Sequence, residues 1–260
     1  MKVYAFGDTD KPSIMLFPGT CCYWKSNFGH VLDHLQQHFY TLVASYSGFD
    51  DTEHSTFISE LDEVEKIENY IKTNLGGKLF AAYGCSLGGS VVSLLVSREN
   101  IHIEHAIIGS SDMDQAPKWL AKLETAIMLP LLYPLISGQK CFMRKKIDKK
   151  LNAGGQEAEF MKQFMKIMGM DGSVDHSFMS KESVKNQFYT DLYTKVGEHI
   201  QVSGTTIHVF YAKKMGEKYL QRYHKYFADP DIHTFDLKHE QLLLDADRWT
   251  KEVCNACGIS

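Results

Sequence analysis

The run Leu79–Val92 restricts the rest of the chain more than any other. A short apolar, aromatic segment ends in Gly84. Ser86 stands two residues on, Gly88 and Gly89 follow, and an apolar stretch of helical character comes after. This reads as strand, tight turn, helix, with Gly84-Cys85-Ser86-Leu87-Gly88 fitting G-x-S-x-G. A serine at the apex of such a turn is driven into a strained backbone conformation, and its hydroxyl is pushed clear of the sheet edge. The residues two before and two after it approach closely, so Gly84 and Gly88 suit those places. The helix that begins after Ser86 aims free N–H groups and its positive dipole end at the hydroxyl. The N–H of Leu87 is the natural first oxyanion donor. A phosphate-cradling loop fits poorly, because both the G-K-[ST] ending and the G-x-G-x-x-G spacing are missing.

At 260 residues the chain is long enough for one large domain, or a core with an insertion. A net charge of −4 argues against a nucleic acid or an anionic membrane as the main partner. No charged-then-apolar leader precedes Val3, and no apolar run is expected to reach membrane-spanning length. The expectation is therefore a reducing cytoplasm, with Cys21, Cys22, Cys85, Cys141, Cys254 and Cys257 as free thiols. Cys254 and Cys257 spell C-x-x-C on an expected C-terminal helix. No second Cys or His pair completes a metal site, so no metal and no redox role is expected there.

Strands are expected at Lys2–Phe6, Ser13–Phe17, Thr41–Tyr46, the run before Gly84, Ala106–Gly109, Thr206–Tyr211 and Ile232–Phe235. Helical periodicity links Phe28, Val31, Leu32, Leu35 and Phe39, then Leu61, Val64, Ile67, Ile71 and Leu75, stopped by Gly76-Gly77. Lys218–Phe227 reads as a further helix, and Trp249 and Val253 mark a closing one. Strands alternating with helices imply a parallel sheet covered on both faces. Ligands then sit outside the carboxyl ends of the strands, where Thr20, Ser86 and Asp112 would gather.

The alternation breaks over residues 113–201. This segment carries eight of the eleven Met and an apolar run, Ala126–Ile136, interrupted by Pro130 and Pro134. It reads as a helical cap insertion between a first core segment, 1–112, and a second, 202–260. The basic residues Arg144, Lys145, Lys146, Lys149 and Lys150 read as a solvated helix face.

A serine hydroxyl is a poor nucleophile until a base takes its proton, and histidine is the usual base near neutral pH. Among twelve histidines, His239 stands out by its place just past the last strand. His105, His208 and His233 lie in or beside strands and read as structural. His176, in the insertion, is a weaker rival.

With Pro18-Gly19-Thr20 after an early strand, Gly-Cys-Ser-Leu-Gly at the turn, a helical cap and a late histidine, the chain resembles an α/β-hydrolase. The resemblance covers nearly everything outside the cap. It implies an α/β fold with a mostly parallel twisted sheet, helices on both faces and a trimmed N-terminal edge. It further implies Ser86 as nucleophile, His239 as base, and the N–H groups of Leu87 and Thr20 as oxyanion hole, with Cys21 the rival to Thr20. The family's orienting acid falls near Met215, which cannot orient an imidazole. Glu217 is the nearest carboxylate on that loop, and Asp112 and Asp114 are the alternatives. The expected activity is that of a serine hydrolase needing no cofactor. It would act on a small-molecule ester or thioester with a small-to-medium apolar acyl group, without integral membrane association. A hydrolase-like binding protein and an acyltransferase are the alternatives.

Overall fold

A computed structural model describes residues 1–259; Ser260, the last residue of the expected second core segment, lies outside them. The elements in chain order are β1 (Lys2–Phe6), β2 (Ser13–Phe17), α1 (Trp24–Phe28), α2 (Leu32–Leu35), β3 (Tyr40–Ser45), α3 (Glu60–Leu75), β4 (Lys78–Gly84), α4 (Leu87–Arg98) and β5 (His102–Ile108). Four helices follow, α5 (Lys118–Ile136), α6 (Phe142–Asn152), α7 (Gly155–Ile167) and α8 (Lys181–Tyr193). The chain then closes with β6 (Thr206–Ala212), α9 (Glu217–Tyr226), β7 (Asp231–Phe235) and α10 (Ala246–Ala256).

The strands form one seven-stranded sheet in the order β1-β3-β2-β4-β5-β6-β7. Only β1 runs antiparallel, so a single short strand makes the expected trimmed edge. Helices cover both faces. Strands buried on both faces read as continuous apolar runs. Accordingly Ile14, Met15, Leu16 and Phe17 of β2 are all 0% exposed.

Local chemistry sets the helix ends. Ser59 Oγ accepts the N–H of Asp62 at 3.1 Å, three acidic residues occupy the first turn of α3, and Gly76 ends it at φ 63°. The expected helix from Phe28 to Phe39 is instead two short pieces, α1 and α2. Gly29 N–H closes onto Lys25 O at 2.8 Å, and a Cβ on Gly29 would lie 2.3 Å from that oxygen. The first piece ends at that residue, and Phe39 reaches the core from beyond α2.

The expectation that no apolar run reaches spanning length is not met. Pro130 and Pro134 do not stop α5, which runs for 19 residues and is long and apolar enough, by length and composition alone, to cross a membrane. Trp119, Leu123, Ile127 and Leu131 of α5 are exposed. By contrast α8 is stitched to the core. Phe57 N–H donates to Ser183 Oγ at 3.2 Å, Glu60 N–H to Thr190 Oγ1 at 3.2 Å, and Asn186 Nδ2 to Phe57 O at 3.0 Å.

The closing helix fixes the sheet centre. Trp249, 0% exposed, meets Tyr83 of β4 edge-on with ring centroids 4.8 Å apart. Trp249→Ala should lower the unfolding free energy by about 3–5 kcal/mol, read as a fall in urea midpoint at unchanged slope.

Candidate functional site

The turn after β4 has the geometry the motif requires. Ser86 sits at φ 51°, ψ −115°, a conformation that costs a non-glycine residue about 1–3 kcal/mol. From Ala81 to Val96 every residue except Ser86 is buried. A Cβ on Gly84 would lie 2.1 Å from Gly88 O, and one on Gly88 would lie 2.1 Å from Phe17 O. Neither backbone oxygen can move away, so both glycines are sterically required. Leu87 opens α4, and its N–H therefore has no intrahelical partner.

The loop after β2 lies against the turn: a Cβ on Gly19 would stand 3.5 Å from Ser86 Cβ. Three of its amides are committed. Gly19 N–H donates to Asn27 Oδ1 at 3.0 Å, Cys22 N–H to Gly19 O at 3.2 Å, and Cys21 N–H to Gln187 Oε1 of α8 at 2.6 Å. The engagement of Cys21 favours Thr20 of the two donors considered.

The residue that ties these pieces together is Glu240. It is buried, at φ 51°, and one carboxylate oxygen accepts both Ser86 N–H at 2.8 Å and Ser110 N–H at 2.9 Å. The other accepts Tyr83 OH at 3.2 Å. Sequence reasoning assigned Glu240 nothing. Its one signal is adjacency to His239, and a carboxylate between a strand and a helix ordinarily faces solvent. Burial, and then this charge, push the thiol of Cys22 up to about 12; burial first and Glu240 second also raise the Cys85 thiol and the Tyr83 hydroxyl. Both thiols are thus held in the protonated form.

His239 precedes Glu240, so its loop is fastened to the turn by the same carboxylate. Phe164 of α7 packs edge-on against its ring, with centroids 6.3 Å apart, and Lys238 pairs with Glu157 of α7. The His239 Nδ1 is buried and has no hydrogen-bond partner among the described residues. None of the three carboxylates considered for orienting the ring meets that nitrogen. Glu217 is exposed in the first turn of α9, and Asp114 pairs with Arg222 at 2.5 Å. Asp112 lies in the wall of the cavity described next. His176 is committed elsewhere, with Nδ1 2.7 Å from Ile136 O.

A cavity of about 380 Å³ opens beside Thr20 and Cys21, between the strand-end loops and helices α5 and α8. Its apolar wall includes Leu129, Ile136 and Phe188; its polar wall is Asp112, Asp114 and Asp191. Burial, and then Asp112 and Asp114, raise the Asp191 carboxyl well above the ordinary range. Glu60, 1% exposed, is raised by burial and then by Asp191, and its Oε1 has no hydrogen-bond partner.

Two outcomes follow from these carboxylates. Glu240→Ala orphans two buried N–H groups and should cost about 1–3 kcal/mol for each, whereas Glu240→Gln, which keeps an acceptor, should cost less; urea unfolding ranks the two. Raised carboxyls make the folded state bind more protons than the unfolded one, so stability falls as pH rises from the unfolded value, about 4.3, towards the folded values. Glu60→Gln removes that loss. The variant should gain stability over the parent at pH 8 and show no gain at pH 4, measured by unfolding at both.

A family model described as the alpha/beta hydrolase fold matches residues 12–133. No curated protein matches. Solved structures similar along nearly the whole length include a hydrolase from Pseudomonas aeruginosa PA01, at 14% identity and TM-score 0.73 with 98% of this chain and 93% of that one covered. The enol-lactonase from Burkholderia xenovorans LB400 aligns at 14% identity and TM-score 0.72, covering 99% and 96%. The type II thioesterase BorB from the borrelidin biosynthetic cluster aligns at 11% identity and TM-score 0.61, also covering 99% and 96%. At these identities the likeness is one of fold. The family model over residues 12–133 and the architecture shared along the chain's length both give it the α/β-hydrolase fold.

Proposed function

We propose that the chain is a serine hydrolase cleaving a small-molecule ester or thioester through an acyl-enzyme on Ser86. The observation that carries this reading is the strained, part-exposed Ser86 in an otherwise buried run. In this mechanism Ser86 Oγ attacks the carbonyl carbon and His239 accepts its proton. The N–H groups of Leu87 and Thr20 hold the oxyanion. The tetrahedral adduct collapses, and His239 returns the proton to the departing oxygen or sulfur. Water, deprotonated by the same imidazole, then releases the acid.

The unpartnered His239 Nδ1 bears on the choice of substrate. Without a carboxylate to stabilise the imidazolium, proton transfer contributes less, and the reaction depends more on the leaving group. A thiol, with a pKa near 8.5, leaves with less help than an alcohol. Thioesters and activated esters therefore suit this site best, and a thioesterase stands among the proteins of similar fold. The apolar wall suits a small-to-medium acyl chain, and the three carboxylates disfavour an anionic one. The reading includes a reducing, cytoplasmic setting, which the six free thiols support.

The same unpartnered nitrogen favours a second reading, a hydrolase-like scaffold that binds such molecules without turnover. A fluorophosphonate probe separates the two. Labelling of the folded protein that is lost in Ser86→Ala supports the hydrolase; absence of Ser86-dependent labelling leaves the scaffold. In the hydrolase, Glu217→Gln, Asp112→Asn and Asp114→Asn should each lower kcat by less than about tenfold on a short-chain p-nitrophenyl ester. Removing the acid of a complete triad costs about 10⁴.

A further inference from the structure

Three side chains on one face of the sheet's free edge converge far more tightly than packing requires. His208 of β6 lies opposite Asp231 of β7, and Phe210 opposite His233, so all four share a face. His208 Nδ1 is 3.0 Å from Asp231 Oδ2 and 3.4 Å from His233 Nε2, and that nitrogen is 2.9 Å from the same Oδ2. Three donor atoms thus form a small, nearly equilateral triangle. A tetrahedral zinc ion with ligands at 2.0–2.1 Å separates them by about 3.3 Å. Two imidazoles and a carboxylate are a donor set that zinc takes readily.

The surroundings suit ligation. His208 is buried, while the Asp231 side chain is 55% exposed, so one side of the triangle is open to a water as fourth ligand. The second ring nitrogen of His208, Nε2, lies 3.2 Å from His105 Nδ1 on β5. A histidine ligand is ordinarily held by a hydrogen bond at its other nitrogen, which fixes the tautomer. With a metal on Nδ1, Nε2–H would donate to His105 Nδ1 in this way. The expectation of purely structural strand histidines does not use this convergence.

We infer that His208, Asp231 and His233 form a divalent transition-metal site, zinc being the best fit, which pins the edge strand β7 to β6. Asp231 opens β7, so the site lies at the opposite end of the strands from Ser86 and needs no part in catalysis. It acts on stability: β7 has one neighbour in the sheet, and a metal bond across that pair holds the strand that leads into the His239 loop.

The test is titration of the chelator-treated, full-length protein with zinc chloride, followed by calorimetry and thermal melting. One equivalent should bind. At zinc about 100-fold above Kd the Tm should rise by roughly 5–10 °C. Asp231→Asn and His233→Ala, with circular dichroism to verify that each is folded, should each weaken binding by about 100-fold or more. Ser86→Ala should bind as the parent does. Cobalt(II) should give the intense visible bands of a four-coordinate ion in the parent and lose them in His233→Ala. Absence of stoichiometric binding, or binding unchanged in both folded variants, overturns the site and leaves only a hydrogen-bonded His–Asp–His cluster.

Discussion

A single buried carboxylate holds the centre of this molecule together. Glu240 takes the amide of Ser86 at the end of β4 and the amide of Ser110 past β5, while its own backbone leaves the last strand through His239. Hydrogen bonds to a charged acceptor are short and strong, and two amides on one oxygen fix its position closely. Three strand ends are thereby locked in one register. The strained turn at Ser86 persists because its amide has nowhere else to go. Strain of a few kcal/mol survives only where surrounding contacts over-determine it, and the two glycines and this carboxylate are those contacts.

What was legible in the sequence follows from that arrangement. Gly84, Ser86 and Gly88 announce the turn because steric exclusion acts over five residues. The strands announce themselves because burial on both faces demands unbroken apolar runs. Glu240 was invisible because its partners, Ser86 and Ser110, lie more than a hundred residues away, and a lone acidic letter carries no sign of burial. The break at Gly29 was missed for a related reason. Apolar spacing continues through it, and only the approach of the Lys25 carbonyl requires the glycine. The prolines of α5 misled in the other direction, since the helix accommodates them. The acid for His239 was sought by position along the chain, but the structure leaves the inner nitrogen of that ring without a partner.

The cavity combines two kinds of wall. Leucine and isoleucine of α5 and Phe188 of α8 line it together with carboxylates from the strand-end loops and α8. Putting Asp112, Asp114, Asp191 and Glu60 near one another is electrostatically costly, and burial adds to that cost. Such a cost is the usual mark of a place kept for something other than stability.

The bond from Cys21 to Gln187 has a mechanical consequence. Gln187 is fully buried on α8, and the same helix reaches the core through Ser183, Asn186 and Thr190. Lifting α8 would strip the amide of Cys21 and loosen the loop that carries Thr20. The α8 wall of the cavity and the loop at its floor are therefore held as one piece.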